Sequence, residues 1–141
     1  MLRSGQIVRN NRLGLVTMTT KRILVVDDEA NIREVVTLCL ERLGGWEVLT
    51  AASGQEALQQ VQVKPPDAIV LDVMMPEMDG FTFLEYLRAD PTTHTIPVVL
   101  LTANSYLPNP QSFPELGVVL TVPKPFQPLD LVQRITQVMG W

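Results

Sequence analysis

The sequence predicts an α/β fold built on a doubly wound, five-stranded parallel sheet, and three observations predict it. Short uninterrupted apolar runs rich in β-branched residues recur along the chain, as expected of strands buried on both faces. Between them lie stretches whose apolar residues repeat at helical spacing. The strict alternation of the two calls for βαβ units with helices on both sides of the sheet.

Taken in order, Ile23-Leu24-Val25-Val26 is the first strand. Ile32, Val35, Val36, Cys39 and Leu43 then mark a helix that Gly44-Gly45 stops. Trp46 to Thr50 reads as a second strand, nearer an edge because it holds the charge of Glu47. Ser53-Gly54-Gln55-Glu56 matches a capping box and opens a helix that must end before Pro65-Pro66. Ala68-Ile69-Val70-Leu71 is the third strand, and Asp79 can cap a helix burying Phe83, Leu84 and Leu87. Pro97 to Leu101 is the fourth strand and Val118 to Val122 the fifth, which Pro123 assigns to an edge. Pro128 starts the last helix, with Leu131, Val132, Ile135, Val138 and Met139 on one face. Between Thr102 and Gly117 stand Pro108, Pro110 and Pro114. Each interior proline costs a helix roughly 3 kcal/mol, so the fourth helix is expected to be short, irregular or absent.

Composition narrows the function. A chain of 141 residues is about one domain, and its 18% charged residues argue against disorder through excess charge. Apolar runs of four or five residues are too short to cross a membrane. A single cysteine, Cys39, neither staples the fold nor makes a cysteine metal site, which fits a reducing cytoplasm. The net charge of −4 disfavours direct DNA binding. That charge is uneven: residues 1–20 hold Arg3, Arg9 and Arg12 and no acid, while residues 21–141 carry the excess of acid. The first segment is expected to be a disordered tail, with Met18 as an alternative start and a basic docking arm as a third reading. The domain proper is residues 21–141.

Ligands of doubly wound sheets bind beyond the carboxyl ends of the strands. Those ends offer Asp27 and Asp28, Asp72, Thr102 and Lys124. Singly, each has an ordinary explanation as a helix cap, a turn hydroxyl or a solvated loop charge. Together, three carboxylates on one rim repel one another unless a cation joins them. Oxygen-only donors suit Mg²⁺, whereas zinc is poorly served with His94 as the single histidine. With an ammonium and a hydroxyl added, the rim can hold phosphoryl oxygens, and Asp72 is the best-placed nucleophile.

Four pieces, Val25-Val26-Asp27-Asp28-Glu29, Leu71-Asp72-Val73-Met74-Met75-Pro76-Glu77-Met78-Asp79-Gly80, Leu101-Thr102-Ala103 and Pro123-Lys124-Pro125-Phe126, occur in that order. The intervals are 44 positions from Asp28 to Asp72, 30 to Thr102 and 22 to Lys124. In this the chain resembles the receiver (CheY-like) domains of two-component response regulators, of the stand-alone type. The resemblance implies the flavodoxin-like strand order 2-1-3-4-5. It makes Asp72 the phosphoacceptor, and Asp27, Asp28, Asp72 and the backbone carbonyl of Met74 the Mg²⁺ ligands. It makes Thr102 the switch residue and Lys124 the phosphoryl-binding lysine, and it puts a cis bond before Pro125. The implied partners are a histidine kinase or phosphotransfer protein and an unknown downstream protein, with no membrane contact. The chain would be a monomer or weak dimer and no enzyme beyond Mg²⁺-dependent self-phosphorylation and self-dephosphorylation.

Two departures stand out. Thr121 occupies the place where receivers commonly carry an aromatic residue, and the segment before Gly117 is proline-rich. Only two residues follow Met139, so no DNA-binding output domain is expected. The alternative is a receiver-like interaction module that signals without phosphorylation. An aspartyl phosphatase usually places a second aspartate two residues after the nucleophile, where Met74 stands. A flavin site would need a Ser/Thr/Gly-rich loop after Val26.

Overall fold

Strands that are apolar on both faces need cover from both sides, and the helices supply it. The computed structural model describes residues 7–10, 14–17, 20–75, 78–102 and 113–141. In chain order the elements are β1 (Ile7–Asn10), β2 (Gly14–Thr17), β3 (Arg22–Val26), α1 (Ala30–Arg42), β4 (Glu47–Ala51) and α2 (Gly54–Val63). Then follow β5 (Ala68–Asp72), α3 (Gly80–Ala89), β6 (Val98–Thr102), β7 (Val118–Pro123) and α4 (Pro128–Met139). Strands β3 to β7 form one parallel sheet in the order β4-β3-β5-β6-β7, which is 2-1-3-4-5 counted within the sheet.

Alternate residues of each central strand feed two separate cores. Leu24, Val26, Ile69, Leu71, Val98 and Leu100 pack with Val61 of α2 and Phe83, Leu84 and Leu87 of α3. Ile23, Val25, Ala68, Val70, Val99 and Leu101 pack with Val36 and Leu40 of α1 and Leu131, Val132 and Ile135 of α4. Each large apolar side chain so buried stabilises the fold by about 1.5–3 kcal/mol. The helix starts follow the sequence. Ser53 Oγ accepts the Glu56 N–H at 3.1 Å, Glu56 reaches back to the Ala52 N–H at 3.1 Å, and Asp79 Oδ1 accepts the Thr82 N–H at 2.8 Å.

The structure corrects the helix stripes in detail. On α1 the buried pair is Val36 and Leu40, while Val35 and Leu43 are exposed. Val35 sits at the margin of the stripe, and Leu43 is the C-cap, where helical period no longer governs. On α4, Val138 is likewise marginal and exposed. The edge position of Glu47 holds, yet its side chain is buried. Burial acts to raise its carboxyl, but hydrogen bonds and charge from Arg22 and Lys64 outweigh that and hold it below the usual range.

Within the segment read as a disordered tail, β1 and β2 pair antiparallel as a sheet of their own, Ile7 opposite Thr17. Ile7-Val8 and Leu15-Val16 supply the β-formers. The expected irregular fourth helix falls mostly on residues 103–112, outside the described residues. Residues 113–117 are turns ending at Gly117, whose φ is 77°.

Candidate functional site

The strand order brings the carboxyl ends of β3, β5, β6 and β7 side by side, and the candidate residues with them. Register places Val26 beside Leu71, so Asp27 and Asp72 emerge from neighbouring strands. Asp72 is the last residue of β5 and pairs with Leu101 of β6, which puts Thr102 next along the rim. Thr102 pairs with Pro123 of β7, and its carbonyl accepts the Lys124 N–H at 2.7 Å. Parallel pairing alone thus delivers Asp27, Asp72 and Thr102 to one edge.

Asp27, Asp72 and Thr102 are buried, at 1%, 4% and 4% exposure, under a rim of otherwise apolar strand ends. Lys124 reaches in, its Nζ 3.4 Å from Asp27 Oδ2 and 3.5 Å from Asp72 Oδ1. The Asp27 carboxylate also accepts the Glu29 N–H at 2.9 Å, and Asp72 Oδ1 accepts the Met74 N–H at 3.2 Å. Arg33 Nη1 donates to the Asp27 carbonyl at 2.8 Å. Burial, reinforced by the Asp27 carboxylate, pushes the Asp72 carboxyl up to about 6 against the pull of Lys124 and the Met74 N–H. The peptide bond between Lys124 and Pro125 is cis.

Carboxylate oxygens of Asp27, Glu29 and Asp72 all lie within 4.8 Å of one another. Three carboxylates facing one ammonium leave negative charge that a divalent cation would balance, and an all-oxygen donor set suits a hard one. The residues therefore fit a metal of the Mg²⁺ kind. Asp28, read from sequence as a ligand, is exposed and is not one of this set. Glu29 is not among the ligands that the resemblance implies. It is the N-cap of α1, yet its side chain makes no capping bond, which leaves its carboxylate for the rim. The signal was present as a third consecutive acid after Val26.

Beside Lys124 an apolar groove of about 360 Å³ opens between α1 and the start of α4, lined by Ile32, Val35, Pro125, Phe126 and Pro128. Cys39 is half-buried against the second core, where burial raises its thiol. His94 is exposed, its ring nitrogen 2.8 Å from the Pro91 carbonyl, in the segment before β6, whereas Thr102 ends that strand. Thr121 on β7 is half-buried.

Comparison with known proteins bears on this geometry. The family described as "Response regulator receiver domain" matches residues 23–136. The chain is 42% identical over 119 residues to the probable transcriptional regulator ycf27 of Cyanophora paradoxa, covering 84% of this chain and 48% of that one. To the phosphate regulon transcriptional regulatory protein PhoB of Escherichia coli it is 40% identical over 119 residues, covering 84% and 52%. The chain thus spans about half the length of these relatives. Among solved structures, the chemotaxis protein CheY4 of Vibrio cholerae superposes with a TM-score of 0.78 at 34% identity, covering 85% of this chain and 99% of that one. A putative response regulator from Chloroflexus aurantiacus gives 0.77 at 37% identity, covering 87% and 100%.

Proposed function

The chain belongs to the response regulator receiver domain family, the phosphoacceptor module of two-component systems, and from that premise we propose that Asp72 is the residue that takes the phosphoryl group. The observation that carries this reading is the placement of Lys124 within 3.5 Å of both Asp27 and Asp72, at the edge where the family's fold binds its ligand. The donor is a histidine kinase or phosphotransfer protein. An Asp72 carboxylate oxygen attacks phosphorus, a P–O bond forms, and the P–N bond to the donor imidazole breaks. The carboxylate is consumed, so the chain is a substrate of the transfer and no enzyme beyond self-phosphorylation and self-dephosphorylation.

Asp27, Asp28, Asp72 and the Met74 carbonyl, together with Glu29, whose carboxylate lies within 4.8 Å of those of Asp27 and Asp72, are the groups that would hold Mg²⁺. When bound, the ion neutralises the carboxylates and phosphoryl oxygens. Lys124 holds a further phosphoryl oxygen, and the Thr102 hydroxyl supplies a donor to another. The groove beside Lys124 is where the donor protein docks, because an apolar partner face seated there comes against the site's edge. No described helix is long and apolar enough to cross a membrane, and the reading places the protein in the cytoplasm.

The test is incubation of the intact chain with Mg²⁺ and acetyl phosphate, followed by intact mass and peptide mapping. One phosphoryl group on Asp72 is expected, with none after chelation and none in Asp72→Asn. Lys124→Ala should label slowly. Full labelling of Asp72→Asn at another residue overturns the assignment.

A further inference from the structure

We propose that Met74 is an oxidation site through which hydroperoxides shorten the lifetime of the phosphoryl group on Asp72, an inference that rests on the phosphoacceptor reading above. Among the described methionines, Met74 is the exposed one, at 64%. Met75 is buried, Met78 packs against the first core and over Gly54, and Met139 packs against the second core. Among the described methionines, an oxidant arriving from solvent therefore meets Met74 first.

The position of that sulfur along the chain gives the reaction a consequence. The Met74 N–H donates to Asp72 Oδ1, so its backbone is fastened to the acceptor. Its neighbours hold it there. Val73 and Met75 are buried, the Val73 N–H donates to the Leu101 carbonyl at 3.3 Å, and the Val73 carbonyl accepts the Gly80 N–H at 2.9 Å. With its backbone bonded to Asp72 and its neighbours Val73 and Met75 buried, Met74 presents any polar group added to its side chain to solvent, two residues from the acceptor.

The chemistry balances with hydrogen peroxide as the oxidant. The thioether sulfur loses two electrons, the O–O bond breaks, one oxygen becomes the sulfoxide oxygen, and the other leaves as water. A thioether is a weak acceptor that leaves the rim apolar, whereas a sulfoxide is polar and holds water. Loss of the phosphoryl group needs one water: it attacks phosphorus, the P–O bond to Asp72 breaks, and inorganic phosphate departs with the carboxylate restored. Water held at the rim raises the rate of that step.

The experiment treats the intact chain with dilute hydrogen peroxide, removes the excess, labels with acetyl phosphate and Mg²⁺, and follows decay by intact mass. Peptide mapping is expected to find the added oxygen on Met74 before Met75, Met78 or Met139. The half-life of the acyl phosphate is expected to fall about three- to tenfold. The half-life of Met74→Leu, whatever its starting value, should not respond to peroxide. Oxidation elsewhere first, equal half-lives before and after treatment, or an equal response in Met74→Leu each overturns the inference. Untreated protein that takes no label overturns the phosphoacceptor reading itself, and this inference with it.

Discussion

At the scale of single residues the site is held against its own electrostatics. Asp72 is buried beside Asp27 and its carboxyl titrates near 6, so keeping it ionised at neutral pH opposes folding. Asp72→Asn removes that opposition while keeping the side chain's shape. In chelator at pH 7.5 it should raise stability by roughly 1–2 kcal/mol, as groups tuned for function rather than stability do. The gain should shrink as pH falls through 6 toward 4. Over that window folded wild-type protein takes up a proton that the unfolded chain, titrating near 3.8, does not yet bind, and the penalty is relieved. Urea melts at pH 7.5 and pH 5 check both statements. Adding Mg²⁺ should stabilise the wild type and leave Asp72→Asn nearly unmoved.

At the scale of elements, α1 and the start of α4 shape the apolar groove beside Lys124, which we propose receives the donor protein. Val35 lies in that groove and is 48% exposed, so it is not needed for the core. Val35→Asp should slow transfer from a protein donor about tenfold or more, since it places a desolvated charge in an apolar contact. Labelling by acetyl phosphate should be unchanged, because the small donor needs no groove. A second element-scale device is the turn before β7. The Arg88 guanidinium donates to the carbonyls of Leu116, His94, Thr93 and Ile96, tying the end of α3 to the starts of β6 and β7. Gly117 has φ 77°, and a Cβ there would overlap that guanidinium. Gly117→Ala should therefore lower stability by about 2 kcal/mol or more, read as a fall in Tm.

At the scale of the whole molecule, the five-stranded sheet and the N-terminal pair are separate sheets. A lone two-stranded pair is marginal in water and supplies little to the rest. Starting the chain at Met18 should shift unfolding free energy by less than about 0.5 kcal/mol. A large fall in Tm would show the pair docked on the domain.

The sequence by itself determined the alternation of strands and helices, the caps at Ser53 and Asp79, and the edge placement of the strand before Pro123. These are local: periodicity, side-chain reach over three residues and a missing N–H act within a few positions of the residue that causes them. It also listed the polar groups at the strand ends. It did not determine which of three consecutive acids, Asp27, Asp28 and Glu29, gather around Asp72, because backbone direction after β3 is set by pairing with Ala51 and by the start of α1. It found Val36 but not Leu40, the other buried residue of α1, and listed exposed Leu43 instead, since rotation about a helix axis is fixed by what the helix packs against. The meeting of Lys124 with Asp27, 97 positions away, was left to the tertiary structure for the same reason. Spacing along the chain is a property of sequence, but distance between strand ends exists only once the sheet has chosen its order.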